Sequence, residues 1–341
     1  MIRLLLAAAV AFGFSLFGTK ALINWLTLHR IGQPIREDGP KEHIVKAGTP
    51  TMGGLAIVGG AFSGWVVSDL FHGVYTRTGI LVMGAIVGGG LVGFMDDWIK
   101  VKSERNLGLN KRAKMFGLLS VAVAFGVLMV TLTEIDTHLA IARPTALDLT
   151  EWGWAAFAVL MISGFSNAVN LTDGLDGLAA GAGIFAYGAF TVIAFWQFRH
   201  ADAYGVDHAL DLAVISASMI GGLVGFLWWN AAPAQIFMGD TGSLAIGVGL
   251  AALALATETH LLLPIVGGLF VVETMSVILQ VGRFKATGKR FFRMAPIHHH
   301  FELSGWPETT VIIRLWILSG ICTALGIGIF YADSIAKGIT K

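Results

Sequence analysis

The chain has 341 residues, 55% of them apolar and only 13% charged, with 44 glycines, a net charge of +1 and one cysteine, Cys322. Soluble globular proteins carry about 25% charged residues, so the composition excludes a soluble enzyme, a disordered chain, a nucleic-acid binder and a disulfide scaffold. What remains is a polytopic membrane protein, whose glycines let helix backbones approach one another.

In chain order, residues 1–28 carry one early Arg and a long apolar run with no small-residue cleavage site. They read as a first span rather than a removable signal. A bilayer core of about 30 Å takes roughly 20 apolar residues per helix. Ten segments qualify: 4–28, 52–72, 78–95, 114–134, 152–170, 177–198, 210–229, 242–257, 261–282 and 311–332. Trp196, Trp228 and Trp229 fall near span ends, where aromatic belts belong. No internal repeat or soluble domain interrupts the pattern. Residues 1–341 are therefore expected to form one all-α transmembrane domain.

Ten spans put both termini on one side. The loops after spans 1, 3, 5, 7 and 9 hold 15 Lys and Arg, against 6 on the other side. The positive-inside rule then predicts both termini outside and the odd-numbered loops in the cytoplasm.

Five polar segments follow those same odd-numbered spans. They are Lys46-Ala-Gly-Thr-Pro-Thr-Met-Gly-Gly54, Phe94-Met-Asp-Asp-Trp98 and Asn167-Ala-Val-Asn-Leu-Thr-Asp-Gly-Leu-Asp-Gly177. The other two are Asn230-Ala-Ala-Pro-Ala-Gln-Ile-Phe-Met-Gly-Asp-Thr-Gly242 and Met294-Ala-Pro-Ile-His-His-His-Phe-Glu302. Parity alone gathers them at the cytoplasmic face. Asp96 and Asp97 end an apolar helix, Asp173 and Asp176 are spaced to share a helix face, and Asp240 follows a Phe-Met-Gly turn. One such acid is readily explained as a solvated helix end. Five on one face repel one another unless cations are bound, and Mg²⁺ with one or two carboxylates, water and substrate phosphates suits them. One ion cannot use all five, which leaves some as base, hydrogen-bond acceptor or spectator.

The Gly-Thr-Pro-Thr-Met-Gly-Gly stretch is either a tight helix-initiating turn or a backbone cradle for a ligand, and it lacks the Walker pattern. Asn167 and Asn170 are interhelical glue or substrate contacts. His298, His299 and His300 make a poor zinc site, since adjacent histidines rarely converge, and suit contact with a phosphate or sugar. Lys100, Lys102, Lys111, Arg112, Lys114 and Arg293 offset a diphosphate or simply form a solvated rim. Carboxylates, cations and Gly/Thr turns at a membrane surface are the parts that phosphoryl transfer to a lipid phosphate requires.

On these motifs the chain resembles the bacterial phospho-N-acetylmuramoyl-pentapeptide transferase (translocase I) family, within the polyprenyl-phosphate N-acetylhexosamine-1-phosphate transferases. Asp96-Asp97 and Asn170-Leu-Thr-Asp-Gly-Leu-Asp-Gly177 mark the superfamily. Thr49-Pro-Thr-Met-Gly-Gly54 and the His-His-His segment mark the muramoyl branch. The resemblance covers essentially the whole chain. It implies Mg²⁺-dependent transfer of phospho-MurNAc-pentapeptide from UDP-MurNAc-pentapeptide to undecaprenyl phosphate, giving lipid I and UMP, the first membrane step of peptidoglycan synthesis. It also implies a multi-pass protein of the bacterial cytoplasmic (inner) membrane, a homodimer, and a bent ninth helix.

Carried over by motif, Asp96, Asp97 and Asp240 are the expected catalytic residues, with Asp240 and Asp96 holding Mg²⁺. Asp96 or Asp97 would deprotonate or orient the carrier phosphate, with direct attack expected over an aspartyl-phosphate intermediate. The nucleotide is expected near Lys46, Thr51, Asn170, Asp173, Asp176, Asn230 and Phe237, which would stack on uracil. Gln280, His299 and His300 would meet the sugar or its phosphates, and Lys100 and Lys114 the diphosphate. Two other readings compete: a polyprenyl-phosphate GlcNAc-1-phosphate transferase, which shares the Asp and Asn motifs, and a cation-coupled transporter.

Overall fold

The apolar runs of the sequence become helices because a chain in lipid must satisfy its own backbone groups. The computed structural model describes residues 1–29, 48–70, 75–102, 108–206, 208–336 and 338. Its helices are α1 (Ile2–Leu28), α2 (Gly54–Leu70), α3 (Arg77–Lys102), α4 (Lys111–Leu132), α5 (Thr150–Thr172), α6 (Leu178–Arg199), the short α7 (Ala201–Tyr204), α8 (Ala209–Asn230) and α9 (Gly239–Ala256). A single 3₁₀ turn, His260–Leu262, leads to α10 (Leu263–Val266), α11 (Gly268–Thr287), α12 (Ile297–Glu302) and α13 (Glu308–Ala336).

Among the described residues, eight helices are long and apolar enough to cross a membrane: α1, α3, α4, α5, α6, α8, α9 and α13. A ninth is reached if the 260–266 and 268–287 helices form one span, bent by 79° at Gly267, the break implied for the ninth helix. The second expected span is the apolar 17-residue α2. The chain is an all-α polytopic membrane protein. One departure is a small antiparallel hairpin, β1 (His138–Ala140) with β2 (Pro144–Asp148), between α4 and α5. The span pattern gives no hint of it, because its strands are too short to leave a periodic signal.

Helix α9 is the axis of the bundle. From Thr241 to Ala256 every side chain is buried, which the sequence permits by alternating Gly, Ala and Leu with no bulky face. Helix α3 lies against it so closely that a Cβ on Gly93 would strike the Asp240 carbonyl. That contact sets the depth at which the ends of the two helices meet.

The opposite end of the bundle is closed by structural polar contacts. Asp211 accepts from Trp65 Nε1 at 2.7 Å and from Thr76 Oγ1 at 2.6 Å. His260, fully buried, accepts from the Ala140 amide at 2.8 Å and so docks the hairpin.

Candidate active site

The polar segments converge where α3, α5 and α8 end and α4, α6 and α9 begin. The segment at residues 50–54 runs beside 237–238. Phe237 N donates to Pro50 O at 2.8 Å, Gly53 N to Phe237 O at 3.0 Å and Gly54 N to Met238 O at 2.9 Å. This pairing fixes the entry to α9, where Gly239 adopts φ +73° and its missing Cβ leaves room for the Asp97 carboxylate.

Asp96 and Asp97 are both 2% exposed, yet the structure gives them different tasks. Asp97 is consumed by the first turn of α9. Its Oδ1 accepts from Asp240 N at 3.1 Å, and its Oδ2 from Thr241 N at 2.9 Å and Thr241 Oγ1 at 2.7 Å. A carboxylate at a helix N-terminus meets both the unpaired amides and the positive end of the macrodipole. Asp97 thereby fixes where Asp240 points. Asp96 accepts from Leu109 N at 2.9 Å through Oδ1 and places Oδ2 2.6 Å from Lys100 Nζ.

Asp240 is the convergence point. Its Oδ2 lies 2.7 Å from both Lys100 Nζ and Lys114 Nζ, while its Oδ1 accepts from Asn170 Nδ2. Asn170 also donates to Ser243 Oγ at 2.9 Å, which holds the amide in place. Two ammonium groups on one carboxylate oxygen concentrate positive charge where an anionic substrate could draw it away.

Oxygen atoms of Asp96, Asp97 and Asp240 lie within 4.8 Å of one another. A hard cation that bonds carboxylate oxygens at about 2.0–2.1 Å suits this donor set. The partners of Asp97 are the amides and hydroxyl of the first turn of α9, which are fixed. Asp96 Oδ2 and Asp240 Oδ2 face lysine side chains that can swing away, so Asp96 and Asp240 are the pair with capacity for an ion. Lys100 would then be released toward a phosphate.

Asp173 caps α5 at the edge of this cluster. Burial, and then the carboxylates of Asp240, Asp97 and Asp176, push it up to about 8. Asp176 accepts from Ala234 N at 3.0 Å and donates its own amide to Glu308 Oε1 at 3.2 Å. Asn230 is buried and bridges two loops, accepting from Gly177 N at 3.0 Å and donating to Ile236 O at 2.8 Å. These two side chains tie the turn after α5 to the loop before α9. Thr51 is buried beside Gly239, and Phe237 is half-buried on the same segment. Lys46 lies outside the described residues.

Gln280, His299 and His300 form a second group. Gln280 Oε1 accepts from the Phe291 and Phe292 amides at 2.8 and 2.9 Å, pinning that loop to α11. His299 Nδ1 pairs with Glu302 Oε2 at 2.7 Å, and His300 Nδ1 accepts from Arg293 N at 3.1 Å. The sequence reading missed Thr241 and Glu273. Thr241 gave no signal. Glu273 did, as an acid inside an apolar run, which is uncommon without a functional or pairing reason.

Comparison with known proteins decides the family. The model of glycosyl transferase family 4 matches residues 79–258, and phospho-N-acetylmuramoyl-pentapeptide-transferase signature 1 matches residues 46–58. Proteins of that name from Frankia alni, Corynebacterium efficiens and Streptomyces coelicolor are 50%, 46% and 47% identical to it. The alignments cover 97–98% of this chain and 98% of each relative. The chain belongs to the phospho-N-acetylmuramoyl-pentapeptide-transferase family. Members are phosphoglycosyl transferases, so the chain is an enzyme and the transporter alternative falls. The family signature spans the 50–54 segment that the structure pairs with the entry to α9.

Proposed function

We propose that the protein transfers phospho-MurNAc-pentapeptide from UDP-MurNAc-pentapeptide to undecaprenyl phosphate, releasing UMP and forming lipid I in peptidoglycan synthesis. The observation that carries this reading is the convergence of Lys100, Lys114 and Asn170 on Asp240 beside Asp96, in a chain of that family. Such a centre neutralises and aligns phosphate oxygens, the main requirement of phosphoryl transfer.

In this reading an oxygen of the carrier phosphate attacks the sugar-bearing β-phosphorus. The new bond joins the two phosphorus centres through that oxygen, and the bond from the β-phosphorus to the bridging oxygen breaks, so that UMP leaves with the electron pair. Asp96 orients the attacking phosphate and takes any proton it carries. Its carboxylate is better suited than that of Asp97, whose oxygens are held by α9. Lys100 and Lys114 turn from Asp240 to the diphosphate. Asp96 and Asp240 would hold Mg²⁺, which supplies charge neutralisation on the diphosphate. Attack is direct, without an aspartyl-phosphate. The nucleotide lies along Lys46, Thr51, Asn170, Asp173 and Phe237, beside the loops that Asp176 and Asn230 tie together, and the sugar and its phosphates lie toward Gln280, His299 and His300.

With ten spans, the 15-to-6 bias of basic residues supports both termini outside and the site at the cytoplasmic face of the inner membrane. The family resemblance supports a homodimer.

The test is UMP release by purified protein in detergent with undecaprenyl phosphate and Mg²⁺. Release from UDP-MurNAc-pentapeptide, abolished by EDTA, is expected. Release from UDP-GlcNAc alone would move the protein to the GlcNAc-1-phosphate branch, and activity with neither would overturn the reading.

A further inference from the structure

Glu273 on α11 and His298 on α12 are both fully buried, with Glu273 Oε2 3.0 Å from His298 Nδ1. A carboxylate is expensive to bury in a span unless it is paired, and this one is spent on a single imidazole. A carboxylate only accepts, so Nδ1 carries the proton, and in the neutral ring Nε2 is left as an acceptor. Nε2 has no hydrogen-bond partner among the described residues. A Cβ on Gly174 would clash with it. Gly174 follows Asp173 in the turn that closes α5, and its amide donates to Thr172 O at 2.8 Å. The ring edge is therefore a stop against that turn. The neighbouring histidines face elsewhere, His299 to Glu302 and His300 to the Arg293 amide.

We propose that Glu273 is a positioning residue for nucleotide binding. Its carboxylate locks the tautomer and rotation of His298, and the locked ring holds the Asp173-Gly174 turn at the site. The helix beyond the bend at Gly267 thus sets the geometry of the pocket at the end of α5. This inference rests on the function proposed above, which places the nucleotide along Asp173.

The test uses the full-length protein in detergent and compares Glu273→Ala, Glu273→Gln, Gly174→Ala and the double variant Glu273→Ala/Gly174→Ala. UMP-release kinetics give KM for the nucleotide substrate and kcat. Glu273→Ala is expected to raise KM at least tenfold with kcat within threefold of wild type. Glu273→Gln keeps an acceptor for Nδ1–H and should stay within threefold of the wild-type KM. Gly174→Ala pushes the same ring from the other side and should raise KM comparably, with the double variant no worse than the worse single one.

An unshifted KM in Glu273→Ala, equal damage in Gln and Ala, or fully additive losses would overturn the positioning role. If Glu273→Ala does not fold, Glu273→Gln and Gly174→Ala decide by the same criteria. ¹⁵N spectra of the histidine rings, with His298 assigned by its loss in His298→Asn, read the tautomer without turnover. An Nδ1–H signal in wild type that vanishes in Glu273→Ala supports the lock, and an unchanged signal overturns it. A wild-type protein that releases no UMP overturns the proposed function, and the ring signal then decides the positioning role separately.

Discussion

Replacing Asp97 by Asn tests whether this residue is a chemical base or the anchor of α9. The carboxylate takes three hydrogen bonds, from Asp240 N, Thr241 N and Thr241 Oγ1. Asn offers one carbonyl oxygen, which can keep the two bonds from Thr241 as neutral ones. Its amide NH₂ then faces the Asp240 N–H, donor against donor. Weakening two charge-assisted bonds and leaving one buried N–H unpaired costs about 2–4 kcal/mol. The Asp240 carboxylate moves with its backbone, and a misplacement of about 1 Å at a reacting centre costs on the order of 100-fold in rate. Asp97→Asn should therefore lower both the melting temperature in detergent and the rate of UMP release. Thr241→Val, which removes one of the three bonds while leaving the acid intact, should lower both in smaller measure, by about 1–2 kcal/mol in stability. Were Asp97 a base alone, Asp97→Asn would lose turnover with unchanged melting, and Thr241→Val would be close to wild type. That pattern would refute the anchor assignment.

Two further outcomes are expected. In Asp96→Asn one oxygen can still accept from Leu109 N, so the protein should fold with little change in melting while turnover drops at least about 100-fold; near-wild-type rates would rule out Asp96 as ligand or base. Glu258, between α9 and the turn at His260, is pushed up to about 7 from an ordinary 4.5 by burial and then the Asp136 carboxylate, against the pull of the Asp136 amide. The folded state binds the proton more tightly than the unfolded chain, so this contribution to stability is complete below about pH 4.5 and is lost as pH rises through 7. It amounts to at most about 3 kcal/mol, less for partial exposure. Thermal unfolding from pH 5 to 8 should therefore show a steeper decline for wild type than for Glu258→Gln, and equal slopes would contradict the assignment.

Hydropathy was enough to place the apolar helices, and the motif residues carried the family resemblance, because each depends on residue type along the chain. Of the five aspartates, Asp96, Asp97 and Asp240 come within 4.8 Å of one another with Asp173 at their edge. Lipid demands continuous apolar helices, and the chemistry of a diphosphate demands carboxylates, cations and glycine turns. The sequence could not divide labour among like residues. Asp96 and Asp97 are adjacent and chemically identical, yet only the arrival of the α9 N-terminus, held beside α3 by the close contact at Gly93, fixes one carboxylate on helix amides and leaves the other facing the Lys100 side chain. Asn230 and Gln280 read as ligand contacts from their residue type, and only folding shows that their amides also tie neighbouring loops together. Glu273 and His298 are 25 residues apart, and no local pattern joins them. The bend at Gly267 and the return of the chain through α12 bring them together. Residue type fixes what chemistry is possible at a position, whereas the partners that decide its role come from distant segments and exist only once the helices have packed.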